Sequence, residues 1–150
     1  MLLFINSTPA QQLEIGKATD AGDVLTADTA LLYKAINKTI PGGFHVISLR
    51  IESVGAFHYL VAEGTYRNFS KTAALVLRYD IRTRTYYAYS GDGYVTCTNA
   101  ACSACSLFKE RGKIVGCKCP EKSTISNQCN FTQAEKSSFY LNLTRMRKSH

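Results

Sequence analysis

In the stretch DTALLYKAINKTIPGG, Leu31, Leu32, Ala35 and Ile36 recur at three- and four-residue spacing, which places side chains on one face of an α-helix. Asp28 is a suitable N-cap, and Pro41-Gly42-Gly43 stops the pattern. Beyond the glycines the period drops to two. Ile47, Leu49 and Ile51 alternate with Ser48, Arg50 and Glu52, and AFHYLVAEGTY continues the alternation after a turn at Gly55. TAALVLRYDIR places Leu75, Leu77, Tyr79 and Ile81 opposite Val76, Arg78 and Asp80, and TYYAYS follows a polar turn. The pattern predicts an α+β protein: one helix packed on a four-stranded antiparallel meander, followed by a disulfide-rich loop region. Leu31, Ile36, Ile47, Leu49, Leu75 and Leu77 are its expected core.

Residues 1–27 show no clear period and are expected as an extended N-terminal arm. Residues 28–96 form the expected α+β core domain. Residues 97–150 form a cysteine-rich basic tail, in which Phe139, Leu141 and Leu143 alternate as a possible final strand. At 150 residues one core suffices. No apolar run approaches the roughly 20 residues that cross a bilayer, so no membrane span is expected.

The cysteines change this picture most. All six (Cys97, Cys102, Cys105, Cys117, Cys119 and Cys129) lie within 33 residues, and none precedes them. An even set in a segment without its own apolar core reads as a disulfide framework formed in an oxidising compartment, although six cysteines allow 15 pairings. The alternative is metal. Cys102-x2-Cys105 with Cys117-x-Cys119 supplies four thiolates for zinc. Cys97-x4-Cys102-x2-Cys105 resembles the plant-type ferredoxin loop, with Ala100 where that loop has glycine and Cys117 or Cys129 as fourth ligand; the resemblance implies an iron–sulfur cluster.

Charge and sequons add to the expectation of export. Residues 1–99 carry nine basic against eight acidic side chains, and residues 100–150 nine against three, so the net +7 resides in the tail. That tail favours an acidic partner or serves as a solubilising surface, and nucleic acid is not the expected partner. Five of seven asparagines open an N-x-S/T triplet. The triplets start at Asn6, Asn37, Asn68, Asn130 and Asn142, and of these Asn68, Asn130 and Asn142, in a turn and in the tail, are the expected glycosylation sites.

The helix and meander over residues 28–90 resemble the cystatin fold, with ESVGAFHYL at the place of that family's Q-x-V-x-G hairpin loop. Glu52 stands for the glutamine, Val54 matches, and Ala56 stands for the glycine; no tryptophan is present for the second inhibitory loop. The resemblance implies inhibition of thiol proteases, although one fold hosts many roles.

No catalytic constellation is legible. A nucleophilic cysteine needs a histidine, and His45 and His58 fall in expected strands, with His150 terminal. The tyrosine cluster offers a binding platform instead: Tyr87, Tyr89 and Tyr94 combine flat apolar faces with hydroxyls. The sequence thus points to an exported, non-enzymatic accessory or structural protein. It binds other protein subunits within a larger assembly, is located outside the cytoplasm (secreted, periplasmic or at the cell surface), and needs no cofactor. The alternatives are a zinc- or iron–sulfur-binding protein in a nucleic-acid-associated or electron-transfer role, and a cystatin-type inhibitor.

Overall fold

Residues 12–25, expected within an extended arm, form a hairpin of β1 (Gln12–Thr19) and β2 (Gly22–Leu25) that is built into the main sheet through Ile15, which is fully buried. The computed structural model describes residues 11–99, 105–119 and 129–148. After the hairpin, the Asp28 carboxylate accepts from the amides of Ala30 (2.9 Å) and Leu31 (3.3 Å) and so caps α1 (Thr29–Thr39). Leu31, Leu32, Ala35 and Ile36 are buried on one face, as their spacing predicts.

Five strands follow: the long β3 (His45–Val54), β4 (Phe57–Tyr66) and β5 (Phe69–Asp80), and then the shorter β6 (Thr85–Tyr89) and β7 (Tyr94–Asn99). β5 pairs β4 on one edge from Phe69 to Leu77. Its other edge is shared: Arg78–Asp80 pair β6 and Lys71–Leu75 pair β7. The Val76 amide donates to the Gly93 carbonyl (3.0 Å) at the interruption between them. There the sheet forks. The far edge of β6 takes β1, while the far edge of β7 takes a later strand, Cys129–Ala134. β1 bends at a bulge between Glu14 and Gly16, and a Cβ at Gly16 would lie 2.5 Å from Ile51 Cδ1 of β3. The hairpin therefore curls back on β3 and nearly closes an antiparallel barrel-like sheet.

The single helix on a four-stranded meander is thus corrected. The protein is predominantly β, with ten strands and two helices among the described residues. The expected loop region contains β8 (Ser106–Glu110), β9 (Lys113–Lys118) and β10 (Cys129–Ala134). Buried Cys97, Cys117 and Cys129 occupy strand positions that an apolar residue would otherwise fill, so the polar sequence hides its period. The final strand is also corrected. Residues 139–148 form α2 (Phe139–Lys148), where Phe139 and Leu143 are one turn apart and buried, and Leu141 is 46% exposed. Asn142 on the same face donates to Thr39 Oγ1 (2.9 Å) and joins α2 to the end of α1.

β5 is buried on both faces. Leu60, Ala62, Ala73, Leu75 and Leu77 face the helices in one core, and Val61, Ala74, Val95 and Cys97 face the cysteine layer in a second. Of the expected core, Leu31, Ile36, Leu75 and Leu77 are buried and Leu49 is partly so, but Ile47 is 62% exposed. The bulge between Val46 and Ser48 reverses the alternation there. Leu77→Ala is expected to cost about 2–5 kcal/mol and Ile47→Ala under about 0.5 kcal/mol, read as denaturation midpoints of the oxidised protein. Equal costs would contradict the placement of the bulge.

Candidate functional site

The cysteine layer fixes the hairpin of β8 and β9 on the outer face of the sheet. Cys97 of β7 is bonded to Cys117 of β9, and Cys105, just before β8, to Cys129 of β10, with Cα separations of 5.7 and 5.9 Å. Cys119 is also in a disulfide, and Cys102 lies outside the described residues. These bonds take Cys105 and Cys117 out of the four-thiolate zinc set, and Cys97 and Cys105 out of the ferredoxin-like loop. Among the described residues no cluster of three or more His, Cys, Asp or Glu is arranged to hold a metal.

Polar contacts set how the hairpin lies. At its base Thr72 Oγ1 donates to the Cys105 carbonyl (3.4 Å), and along its length Lys109 forms an ion pair with Glu52 of β3. At its tip, Arg111 and Gly112 turn with φ of 50° and 77°. A Cβ on Gly55, in the β3–β4 turn, would stand 3.0 Å from the Gly112 Cα. The turn that resembles the cystatin loop is therefore packed against the hairpin tip.

Beside the hairpin the sheet remains uncovered, leaving a groove of about 510 Å³. Ser48 and Arg50 of β3, Glu63 and Thr65 of β4, and Ser70 and Thr72 of β5 line its floor, with Ser106, Leu107 and Lys109 of β8 along one side. No β9 residue lines it, and β9 is the only partner of β8 among the described residues. The unpaired edge of β8 thus faces the groove. Arg50 joins Glu63 (2.9 Å) and Glu52 (3.2 Å), while Ser70 Oγ is buried without a hydrogen-bond partner in the described structure. Partial burial, with Arg50 and Lys118 nearby, lowers the pKa of Lys109 below the ordinary lysine value. The exposed ion pairs orient their side chains but contribute little stability.

A second cluster, missed in the sequence, lies where the ends of β2 to β6 converge. The rings of His58, Tyr79 and Tyr86 meet in tilted and edge-on contacts with centroids 4.7–5.5 Å apart. His58 Nδ1 is hydrogen-bonded to Ser53 Oγ at 2.7 Å, and the Tyr86 hydroxyl donates to Asp23 (2.9 Å). Burial, reinforced by Asp23, pushes the Tyr86 phenol up to about 12, and burial lowers His58 against an opposing pull from Asp23. Ser53 and His58 are at hydrogen-bonding distance, while the recorded hydrogen bond of the Asp23 carboxylate is to Tyr86 and not to the His58 ring. The cross-strand pairing of Tyr79 with Tyr86 was the signal available in the sequence.

The tyrosine platform is divided. Tyr89 lies under the Arg78 guanidinium at 4.3 Å, itself fixed by Asp92 at 2.8 and 3.0 Å, and Tyr87 pairs with Arg78 on that same outer face. Tyr94 packs on the helix-facing core, where burial raises its pKa. Of the sequons, Asn68 and Asn130 are exposed, Asn37 accepts from the Val46 amide, and Asn6 lies outside the described residues. Asn142 is only 5% exposed, and its amide nitrogen donates to Thr39 and Ser138, the atom a glycan would require. No protein-family model, curated protein or solved structure matches the chain.

The Cys97–Cys117 and Cys105–Cys129 bridges each close a loop of about 20 residues, for which chain entropy gives roughly 3 kcal/mol. Reductant is therefore expected to speed tryptic cleavage at Lys109, Arg111 and Lys113 before the helix-facing core opens, and chelator to leave it unchanged. Cleavage accelerated by chelator alone would contradict the disulfide layer. A separate expectation concerns His58, which should titrate below 6.5 by NMR, and lower still in Asp23→Asn. The unfolded chain then binds the proton more readily, so this group's contribution to stability falls as pH drops below about 6.5. A midpoint at or above 6.5 would contradict the described burial.

Proposed function

We propose that the chain is an exported, non-enzymatic accessory or structural protein that binds other protein subunits, receiving an extended segment of the partner in the groove beside β8. The observation that carries this reading is the unpaired edge of β8 facing a groove of about 510 Å³. An unpaired strand edge presents a row of backbone donors and acceptors that a second extended chain satisfies, while alternate side chains of that chain meet the floor. The floor suits a segment of mixed character. Arg50, Glu52, Glu63 and Lys109 carry both signs, and Ile47 beside them is an exposed apolar contact.

The staples serve this role by holding the edge in place before binding, which reduces the ordering cost that a free hairpin would bear. Disulfide bonds also suit an oxidising compartment outside the cytoplasm. No helix among the described residues is long and apolar enough to cross a membrane.

The test is selection of 12-residue peptides from a displayed library on the oxidised protein, followed by amide-shift mapping of the binders. Perturbations over residues 47–50, 63–65 and 106–109 are expected, with at least ten-fold weaker binding, about 1.4 kcal/mol, in Ser48→Arg. Ser48 is exposed, so the substitution fills the groove without touching either core. Binders that perturb other surfaces, or that are indifferent to Ser48→Arg, would refute the reading.

A further inference from the structure

On the helix-facing side of β5, Lys71 is 8% exposed and is the only charged residue among the buried ones described. It stands across the sheet from Gly64 on β4 and Thr98 on β7. Its amine is turned toward the loop that ends α1, where Nζ donates to the Pro41 carbonyl at 3.3 Å. The same amine lies 5.1 Å from the centre of the Tyr66 ring and 5.7 Å from that of Phe44. No carboxylate pairs with it among the described residues. A lysine ammonium has three N–H donors, so one carbonyl and two ring faces leave hydrogen-bonding capacity unused and the charge without a counter-ion. Burial lowers the pKa of this amine, as expected for a cation with no acid beside it.

The residue borders a cavity of about 200 Å³ whose walls differ in character. Thr96, Thr98 and Thr132 supply hydroxyls, and the first and third of these are hydrogen-bonded to each other. Ile40, Pro41 and Ala134 supply apolar surface, and Tyr94 adds its ring. A cation without a counter-ion, beside hydroxyl donors and an apolar wall, is complementary to an anion that carries a short hydrocarbon tail. The volume corresponds to about seven water molecules at roughly 30 Å³ each, which limits the ligand to a few heavy atoms.

We propose that the cavity between the end of α1 and strands β5, β7 and β10 is a binding site for a small organic carboxylate, with Lys71 as its cationic anchor and Thr98 as a hydroxyl donor. This cavity lies on the helix-facing side of β5 and the peptide groove on the outer side; Lys71 is the one lining residue they share, and the proposal does not depend on the groove being occupied. The carboxylate takes the place of the missing counter-ion, and its alkyl end rests on Ile40, Pro41 and Ala134.

The test uses the oxidised full chain with lysine labelled at 13Cε, titrated with sodium butyrate and, at matched ionic strength, with sodium chloride. A saturable shift of the Lys71 Cε signal and of the Thr98 and Thr132 amides is expected, with chloride at least ten-fold weaker. In Lys71→Met the saturable amide shifts should vanish, and in Thr98→Val the affinity should fall several-fold. If Lys71 serves only to cap the end of α1, its signal will not saturate with butyrate, which overturns the proposal. Equal responses to chloride and butyrate overturn it as well. The wild-type titration decides the matter even where Lys71→Met fails to fold.

Discussion

The structure depends on one strand being buried from both sides. Along Lys71–Leu75 every residue of β5 is buried, and the adjacent Ala73 and Ala74 point to opposite faces with methyl groups only. Small side chains at the centre of a sheet let both covering layers approach closely, helices on one side and the cysteine hairpin on the other. Larger residues there would push one layer away and leave gaps in its packing. The three-layer arrangement is therefore set by the least bulky part of the chain.

The two layers are held differently. The helix side has Leu32, Ile36, Ile40, Phe44 and Leu143, all essentially buried, and needs no covalent help. The outer side buries Val61, Ala74, Val95 and Leu107 and otherwise cysteines, with Tyr59, Ile114 and Phe131 only partly buried against them, little apolar surface to hold a five-residue strand and a six-residue strand in place. The disulfides act where burial is insufficient, restricting the unfolded states of a hairpin that would otherwise be marginal. Fixing that hairpin creates the groove, because the staples hold it over part of the sheet and leave the rest of the outer face open.

What the sequence disclosed follows the same division. α1 was legible because Asp28, four apolar positions and a Pro-Gly-Gly stop all agree. TAALVL was legible as a strand, but the meaning of its unbroken apolar run, burial on both faces, was not drawn from a period-two reading. Phe139, Leu141 and Leu143 satisfy a two-residue period, while Phe139 and Leu143 also satisfy a four-residue one. Only the packing of Asn142 against Thr39 shows which applies. Cysteine pairing was unreadable because 15 pairings share one sequence. The groove was unreadable for a related reason: its sides come from β3, β4, β5 and β8, and the Thr72–Cys105 contact alone spans 33 residues.

Charge is handled in opposite ways on the two faces of β5. Outside, Arg50 and Lys109 share Glu52 and Glu63 beside water, where each pair gains little and loses little if exchanged. Inside, Lys71 has no acid, and the fold accepts a desolvated amine in contact with a carbonyl and two rings. A lysine at that register position is not needed to fill space, since an apolar side chain of the same length would pack on Phe44 and Tyr66 without the desolvation penalty. The cost is therefore not explained by the core that bears it. The proposed carboxylate site would account for it, since Lys71 borders a cavity whose other lining residues include three threonines and an apolar group.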